Sequence, residues 1–157
     1  MRVILVANPK GGSGKTTLST NLAGYLAARG ERVAMLDLDR QKSATHWLAM
    51  RDMALPDIEL LREGQKEDSD WLVIDSPAGL HGKNLAHAIK LAEKILVPLQ
   101  PSLFDMAATR DFLDRLLEEK VVRKHRAFVG IVGMRVDPRT RAAVTLEKFL
   151  SQYDLPV

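Results

Sequence analysis

The chain has 157 residues, a net charge of +3, 46% hydrophobic and 27% charged residues, and no cysteine. This length and composition favour one globular domain, and the lack of cysteine excludes a disulfide framework, a cysteine-ligated metal site and a cysteine nucleophile. Because no apolar run approaches the roughly 18 residues that a membrane span needs, we expect a cytoplasmic protein with no membrane partner.

Apolar runs rich in valine, isoleucine and leucine alternate along the chain with segments of helical periodicity. The apolar runs are nearly continuous, which is typical of strands covered on both faces in a parallel sheet. We therefore predict an α/β fold, with a doubly wound, mostly parallel sheet between two layers of helices and with ligands bound at the carboxyl ends of the strands. The region 50–69 has the weakest pattern, with a strand candidate at Ile58–Leu61. The other predicted strands are Val3–Ala7, Arg32–Leu38, Trp71–Asp75, Lys94–Leu99 and Ala127–Gly133, and the predicted helices are Thr16–Ala28, Lys83–Ala92, Asp105–Glu119 and Thr140–Ser151.

A glycine-rich segment with two lysines follows the first predicted strand and opens the first predicted helix. Its glycines allow a tight turn whose backbone N–H groups approach an anion, and the helix N-terminus adds positive potential. In this setting the pattern predicts a P-loop, although Pro9 stands where the strict pattern has its first glycine. Lys15 is expected to reach the β- and γ-phosphates, and Thr16 to ligate Mg²⁺. The predicted nucleotide-binding residues are Gly11, Gly12, Ser13, Gly14, Lys15, Thr16 and Thr17.

Two aspartates lie at the carboxyl ends of predicted strands, at the edge of the sheet where the P-loop is expected. Asp75 ends one apolar run and is predicted to hold Mg²⁺ through water, together with Thr16. Asp39 comes just after another predicted strand and is expected to orient an attacking water or to bind the outer shell of the metal. Asp37, two residues earlier, is interpreted as a cap of the strand end.

Several separated motifs together resemble the ParA-type partition ATPases, in the group with a deviant Walker A motif that also contains MinD-like enzymes. The resemblance runs in family order along the whole chain, and it identifies residues 1–157 as a single P-loop ATPase domain. The segment Asn8–Thr17 resembles the family's first motif, and Asp37–Gln41 with Ala44, Thr45 and Trp47 resembles its second motif. The segment Asp75–Gly79 resembles the Walker B motif and the switch region. Pro98–Ser102 with Asp105 resembles the family's next strand end, and Arg135–Thr140 resembles a later family segment.

The resemblance implies an ATPase that binds ATP or ADP with Mg²⁺ and acts as a nucleotide-dependent dimerisation switch in plasmid or chromosome partition. Lys10 matches the family's second lysine, which reaches across an ATP-dependent homodimer to the partner's nucleotide. The implied catalytic residues are therefore Lys10, Lys15 and Asp39, and the implied metal-binding residues are Thr16, Asp39 and Asp75. The expected partners are nonspecific DNA and a ParB-like centromere-binding protein that stimulates hydrolysis, which implies association with the bacterial nucleoid.

Nonspecific DNA binding needs only a basic surface that contacts phosphates. Two groups of basic residues are candidates, one after the helix predicted at Asp105–Glu119 and one after the last predicted strand. The first group is Lys120, Arg123, Lys124 and Arg126, and the second is Arg135, Arg139 and Arg141.

The sequence departs from the family pattern in a few places. The family continues past the position of Val157, so we expect this domain to lack the family's C-terminal strand and helices. Met134 stands where an asparagine that helps to hold the base is expected, and the region 50–69 is short. Two other functions stay open at this point, a small-molecule ATP-dependent enzyme similar to dethiobiotin synthetase and a MinD-like positioning ATPase.

Overall fold

The computed structural model describes residues 1–65, 68–80, 82–124 and 126–157, without the side chain of Arg123. None of the helices in these residues is long and apolar enough to cross a membrane. The strands and helices of the described residues are β1 (Arg2–Val6), α1 (Lys15–Ala28), β2 (Val33–Asp37), α2 (Ser43–Ala49), β3 (Glu59–Leu61), β4 (Trp71–Asp75), α3 (Gly82–Leu91), β5 (Lys94–Leu99), α4 (Leu103–Glu118), α5 (Lys120–Arg123), β6 (Phe128–Gly133) and α6 (Arg141–Leu150).

The six strands form one sheet in the order β3-β2-β4-β1-β5-β6, and every neighbouring pair is parallel. All carboxyl ends of the strands therefore lie at the same edge of the sheet, which we call the carboxyl edge. The register places Val6 of β1 beside Asp75 of β4, and Asp75 beside Asp37 of β2. The segments that follow β1, β2 and β4 thus meet in one place.

Helices cover both faces of the sheet, because neighbouring residues of each strand point to opposite sides. On one face, Leu5, Ile95 and Ile131 pack in a core that includes residues of α3, α4 and α6. On the other face, Val6 and Met35 pack in a core that includes residues of α1 and α2. The predicted three-layer α/β/α architecture is confirmed, and the sheet is wholly rather than mostly parallel.

All the predicted strands and helices occur, with ends that agree within two residues. Two helices were not predicted, α2 and the short α5. The residue that precedes α2 is Lys42, which has a left-handed backbone with φ 52° and no capping side-chain hydrogen bond. A helix that starts without serine, threonine, aspartate or asparagine at its N-cap lacks the usual sequence signal. In the described part of 50–69, β3 is the one regular element.

Asn8 connects the end of β1 with β5 and α4. Its side chain is buried, and Nδ2 donates to the carbonyl oxygen of Pro98 at 2.9 Å and to Oγ1 of Thr109 at 3.0 Å. Oδ1 of Asn8 accepts a hydrogen bond from the backbone N–H of Lys10. The loop after β1 is therefore fastened to the neighbouring strand and helix through one buried amide.

Replacing Asn8 with alanine should lower the free energy of unfolding by about 2 kcal/mol, because two buried acceptors lose their donor. Chemical denaturation followed by circular dichroism measures this change. Asn21→Ala is the matched control, since Nδ2 of Asn21 donates to the carbonyl oxygen of Thr17 on the exposed surface of α1. The control should change the same free energy by less than about 0.5 kcal/mol, and equal destabilisation by both variants would contradict the role assigned to Asn8.

Candidate functional site

The loop 9–14 lies at the centre of the carboxyl edge, between the end of β1 and the start of α1. Gly12 and Gly14 both adopt left-handed backbone conformations, with φ 74° and 95°. At Gly14, an added Cβ atom would also lie 2.8 Å from Cε of Met134. The two left-handed glycines curl the loop toward the first turn of α1, whose N–H groups have no acceptor within the helix. This is the backbone shape and the positive potential of an anion-binding loop.

Lys15 is the buried cation of this loop. The residue is 6% exposed, and its Nζ donates to the carbonyl oxygen of Lys10 at 3.0 Å. Burial lowers the pKa of Lys15, and the nearby carboxylates of Asp75 and Asp39 partly offset that effect. A buried ammonium group that bonds to a neutral carbonyl gains stability when an anion approaches it. This arrangement fits the predicted binding of phosphates by Lys15.

Asp75 lies directly beside the first turn of α1. Its Oδ2 accepts a hydrogen bond from Oγ1 of Thr16 at 2.7 Å, and its Oδ1 accepts one from Oγ of Ser19 at 3.1 Å. Burial raises the pKa of the Asp75 carboxyl group, and the two hydroxyl donors oppose that shift. The structure therefore brings Thr16 and Asp75 into contact, although they lie 59 residues apart in the sequence. Ser19 was not predicted, but its position three residues after Thr16 places it on the same side of the helix.

The oxygen atoms at this contact fit a magnesium ion. The hydroxyl of Thr16 and the carboxylate of Asp75 are hard oxygen donors, and magnesium sites beside nucleotides combine a few such ligands with water and phosphate oxygens. Among the described residues, no three acidic, histidine or cysteine side chains form a group that could hold a metal ion. The pair of Thr16 and Asp75 fits a cation that takes its other ligands from water and a nucleotide.

The other predicted residues of the loop differ in their exposure. Gly11 and Gly12 are exposed, and so is Thr17 on the first turn of α1, where its hydroxyl is accessible to a ligand. Ser13 is 1% exposed, and within the described part of the structure its Oγ has no hydrogen-bond partner. Because the Ser13 hydroxyl is turned away from solvent, we expect its backbone rather than its side chain to contact a phosphate.

Asp39 lies in the loop after β2 and is half-buried. Its carboxylate is close enough to Lys15 to raise the pKa of that residue, and its Oδ1 accepts a hydrogen bond from the backbone N–H of Gln41 at 2.9 Å. Asp37 accepts a hydrogen bond from the backbone N–H of Asp39 at 3.0 Å, so it does cap the end of β2 as interpreted. The structure thus places Asp39 near the phosphate-binding lysine.

Lys10 lies at the rim of the loop and faces its own chain. Its Nζ forms an ion pair of 2.8 Å with Oδ2 of Asp105 on α4, and the side chains of Lys10 and Asp105 are 36% and 6% exposed. The resemblance implied a lysine directed toward a second subunit. In this conformation, a carboxylate of the same chain holds the ammonium group instead.

The segment after β5 makes a second contact with the loop, and this contact was not predicted. Nε2 of Gln100 donates to the carbonyl oxygen of Gly12 at 2.6 Å. Gln100 lies in one of the segments that carried the family resemblance, but nothing in that segment indicated its acceptor. Gln100 and Asp105 together join the β5–α4 connection to the loop 9–14.

The first group of candidate DNA-contacting residues lies on and after α5, before β6 begins. This is the edge of the sheet opposite the carboxyl edge. Lys120, Lys124 and Arg126 are exposed there, and they form no ion pair with another side chain that the structure describes. The side chain of Arg123 lies outside the described residues.

The second group lies after β6, at the carboxyl edge. Arg139 is joined to Asp137 by two hydrogen bonds of 2.9 and 2.8 Å from its guanidinium group. Arg141 is exposed at the start of α6, and Arg135 has a left-handed backbone with φ 54°. The two predicted groups therefore do not form one continuous surface.

Comparison with known protein families gives a match over nearly the whole chain. Residues 4–157 match the CobQ/CobB/MinD/ParA nucleotide binding domain. The chain is 34% identical over 165 residues to maintenance of carboxysome distribution protein A from Gloeobacter kilaueensis, covering 99% of this chain and 73% of that protein. It is 30% identical over 186 residues to the chromosome-partitioning ATPase Soj from Thermus thermophilus, covering 94% of this chain and 74% of that protein.

Solved structures share the fold. A cobyrinic acid a,c-diamide synthase from Mycobacterium smegmatis with bound ATP analogue and magnesium has a TM-score of 0.80 at 24% identity, covering 100% of this chain and 84% of that chain. The structure of pNOB8 ParA bound to nonspecific DNA has a TM-score of 0.70 at 19% identity, covering 98% of this chain and 76% of that chain. The glycine-rich loop, the buried Lys15 and the family match together show that the chain belongs to the CobQ/CobB/MinD/ParA family of nucleotide-binding domains.

Proposed function

We propose that this protein is a Mg²⁺-dependent ATPase that acts as a nucleotide-controlled dimerisation switch in DNA partition. The observation that carries the proposal is the position of Lys10. Lys15 is buried inside the loop, whereas Lys10 lies at the rim and is 36% exposed on its side chain. Since Lys15 serves the nucleotide of its own chain, Lys10 at the rim is suited to the phosphates held by a second copy once its ion pair with Asp105 opens.

The described contacts support a separate role for each of these residues at the nucleotide. Lys15 neutralises the β- and γ-phosphates of ATP, and Thr16 with Asp75 holds Mg²⁺, which supplies further positive charge for phosphoryl transfer. Asp39 orients the attacking water from the loop after β2. Because ADP lacks the γ-phosphate that contacts these loops, we expect the dimer to require ATP.

Nonspecific DNA binding by the ATP-bound dimer is the second part of the proposal. A dimer that joins two carboxyl edges leaves the opposite edge free, where Lys120, Lys124 and Arg126 are exposed and without acidic partners among the described side chains. Relatives named for chromosome partitioning and a similar fold bound to nonspecific DNA support this role. By the same family analogy, a ParB-like protein stimulates hydrolysis at the nucleoid. A cargo other than DNA is compatible with the same switch, since another relative is named for the distribution of carboxysomes.

A small-molecule ATP-dependent enzyme is the second candidate function. A groove of about 460 Å³ lies beside Pro77 and Leu80, in the segment that follows Asp75, and apolar side chains such as Leu36 and Ile74 line much of it. One structure with the same fold is a cobyrinic acid a,c-diamide synthase. Under this alternative, a metabolite rather than duplex DNA accelerates ATP turnover, and ATP does not change the oligomeric state.

Light scattering coupled to size-exclusion chromatography tests the switch directly. With Mg²⁺, we expect a monomer in ADP and a dimer in ATP. Lys10→Ala should still bind ATP, because Lys15 is intact, but it should remain a monomer and lose hydrolysis. Lys90→Ala, an exposed lysine on α3, is the matched control and should dimerise normally. A monomeric wild-type protein in saturating ATP, or an ATP-dependent dimer of Lys10→Ala, would overturn the proposed switch.

The DNA proposal predicts different effects for the two basic groups. Lys124→Ala should weaken binding of the ATP-bound protein to random-sequence duplex and reduce the slope of log affinity against log salt by about one, because one phosphate contact is lost. Arg139→Ala should change this slope less, because Asp137 already neutralises the guanidinium group. Fluorescence anisotropy across a salt series measures both variants. The assignment to α5 fails if Arg139→Ala has the larger effect.

Asp75→Asn should raise the melting midpoint of the nucleotide-free protein. It should also abolish the change in this midpoint on addition of Mg²⁺ and ATP. The variant removes a carboxylate whose ionisation burial disfavours, and its amide can still bond to the hydroxyls of Thr16 and Ser19. Calorimetry at neutral pH should show a midpoint about 3 °C above wild type.

The pKa of Asp75 is raised in the folded state, so its ionisation costs stability as pH rises. The gain should therefore vanish below about pH 4, where the carboxyl group is protonated in both states. An unchanged response to Mg²⁺ and ATP would remove Asp75 from the metal site.

A further inference from the structure

The carboxylate of Asp37 closes the loop that carries Asp39. Asp37 is buried at the end of β2, and its Oδ1 accepts a hydrogen bond from the backbone N–H of Asp39 at 3.0 Å. Its Oδ2 accepts two further hydrogen bonds of 2.9 Å, from the backbone N–H and from Oγ1 of Thr45 on α2. One side chain thus holds both the start of the loop and the helix that follows it.

These hydrogen bonds supply the N-terminal cap that α2 otherwise lacks. Lys42, the residue before the helix, has a left-handed backbone and makes no capping side-chain hydrogen bond. A carboxylate at a helix N-terminus satisfies free N–H groups and interacts favourably with the helix dipole. Asp37 does so from a strand of the central sheet, eight residues upstream of Thr45.

Lys42 adds a second tie between the ends of the loop. Its Nζ donates to the carbonyl oxygen of Asp37 at 2.6 Å, and its backbone N–H donates to the carbonyl oxygen of Asp39 at 3.2 Å. A lysine at φ 52° carries a conformational cost that surrounding contacts have to offset. The segment 38–42 is therefore held in one shape by contacts with β2 and α2.

The same contacts fix this loop relative to the proposed magnesium site. Asp37 is the direct register neighbour of Asp75 in the sheet, and the backbone N–H of Leu38 donates to the carbonyl oxygen of Asp75 at 3.0 Å. A displacement of Asp37 or Thr45 would shift the Asp39 carboxylate against Lys15 and Asp75. Catalytic groups that are misplaced by about 1 Å lose a large part of their effect.

We infer that Asp37 and Thr45 form a positioning pair for ATP hydrolysis, which holds Asp39 in the place where it orients the attacking water. This inference rests on the role of Asp39 in the proposed function. In this role neither residue of the pair has to touch the nucleotide. They act through the shape of the loop 38–42.

Single-turnover hydrolysis of radiolabelled Mg-ATP by the full chain tests the pair. Thr45→Val removes the Oγ1 donor while it keeps the backbone N–H and the size of the side chain. It should slow hydrolysis about tenfold, as expected when a hydrogen bond to a charged group is lost. The dissociation constant for ATP should change less than about twofold, because the loop 9–14 is untouched. Thr45→Ser keeps the hydroxyl and should restore most of the rate.

Thr145→Val is the matched control, because Oγ1 of Thr145 donates to the carbonyl oxygen of Arg141 within α6 and contacts no part of the site. This variant should hydrolyse ATP at the wild-type rate. Asp37→Asn provides a second, independent variant, since its amide has one acceptor oxygen and cannot accept hydrogen bonds from the backbone N–H groups of both Asp39 and Thr45 in the present geometry. It should slow hydrolysis as Thr45→Val does, and circular dichroism shows that each variant is folded.

A double-mutant cycle separates positioning from a general structural effect. If Thr45 acts through Asp39, adding Thr45→Val to Asp39→Ala should slow hydrolysis no further than Asp39→Ala alone. A further slowing in the double variant, or a wild-type rate for Thr45→Val with a slow Asp39→Ala, would overturn the positioning pair only. A wild-type rate for Asp39→Ala would instead remove Asp39 from the proposed function.

Discussion

The burial of two opposite charges that do not bond to each other is the constraint on which this site depends. The ammonium group of Lys15 bonds to a carbonyl oxygen, and the carboxylate of Asp75 bonds to two hydroxyl groups. Burial disfavours the charged form of both residues, as the directions of their pKa shifts show. A magnesium nucleotide brings an anion to the lysine and a cation to the carboxylate, so it compensates both groups at once. This compensation is the physical basis of the proposed control by a nucleotide.

Hydrogen bonds and an ion pair fix the surroundings of the loop. Asn8 ties the loop to β5 and α4 through a buried amide, and Asp105 of α4 holds Lys10. On the other side, Asp37 holds the segment that carries Asp39. The contacts of Asn8 and Lys10 join the loop and its start to β5 and α4 through charge-assisted or buried hydrogen bonds, which are stronger than exposed ones. A ligand that draws Lys10 or Lys15 toward its phosphates therefore acts on α4 and on the loop after β2.

The parallel sheet separates the proposed activities in space. Every strand ends at the carboxyl edge, so the proposed nucleotide site, Lys10 and Asp39 share one edge of the molecule. The helix α5 and its exposed lysines lie at the opposite edge. Dimerisation and DNA binding would then use different surfaces, and its ion pair with Asp137 makes Arg139 at the carboxyl edge less suited to DNA. The apolar groove beside Pro77 remains the feature that the alternative, enzymatic function would use.

The sequence alone determined the features that depend on local pattern. Continuous apolar runs predicted the parallel strands, the glycines and Lys15 predicted the loop, and strand ends predicted Asp39 and Asp75. Only the tertiary structure decided which side chains meet: Lys10 with Asp105, 95 residues away, and Asp37 with the uncapped start of α2. The packing also turned the hydroxyl of Ser13 inward. Local propensity reports how each segment folds, whereas the partner of a charged or polar side chain depends on how distant segments are packed together.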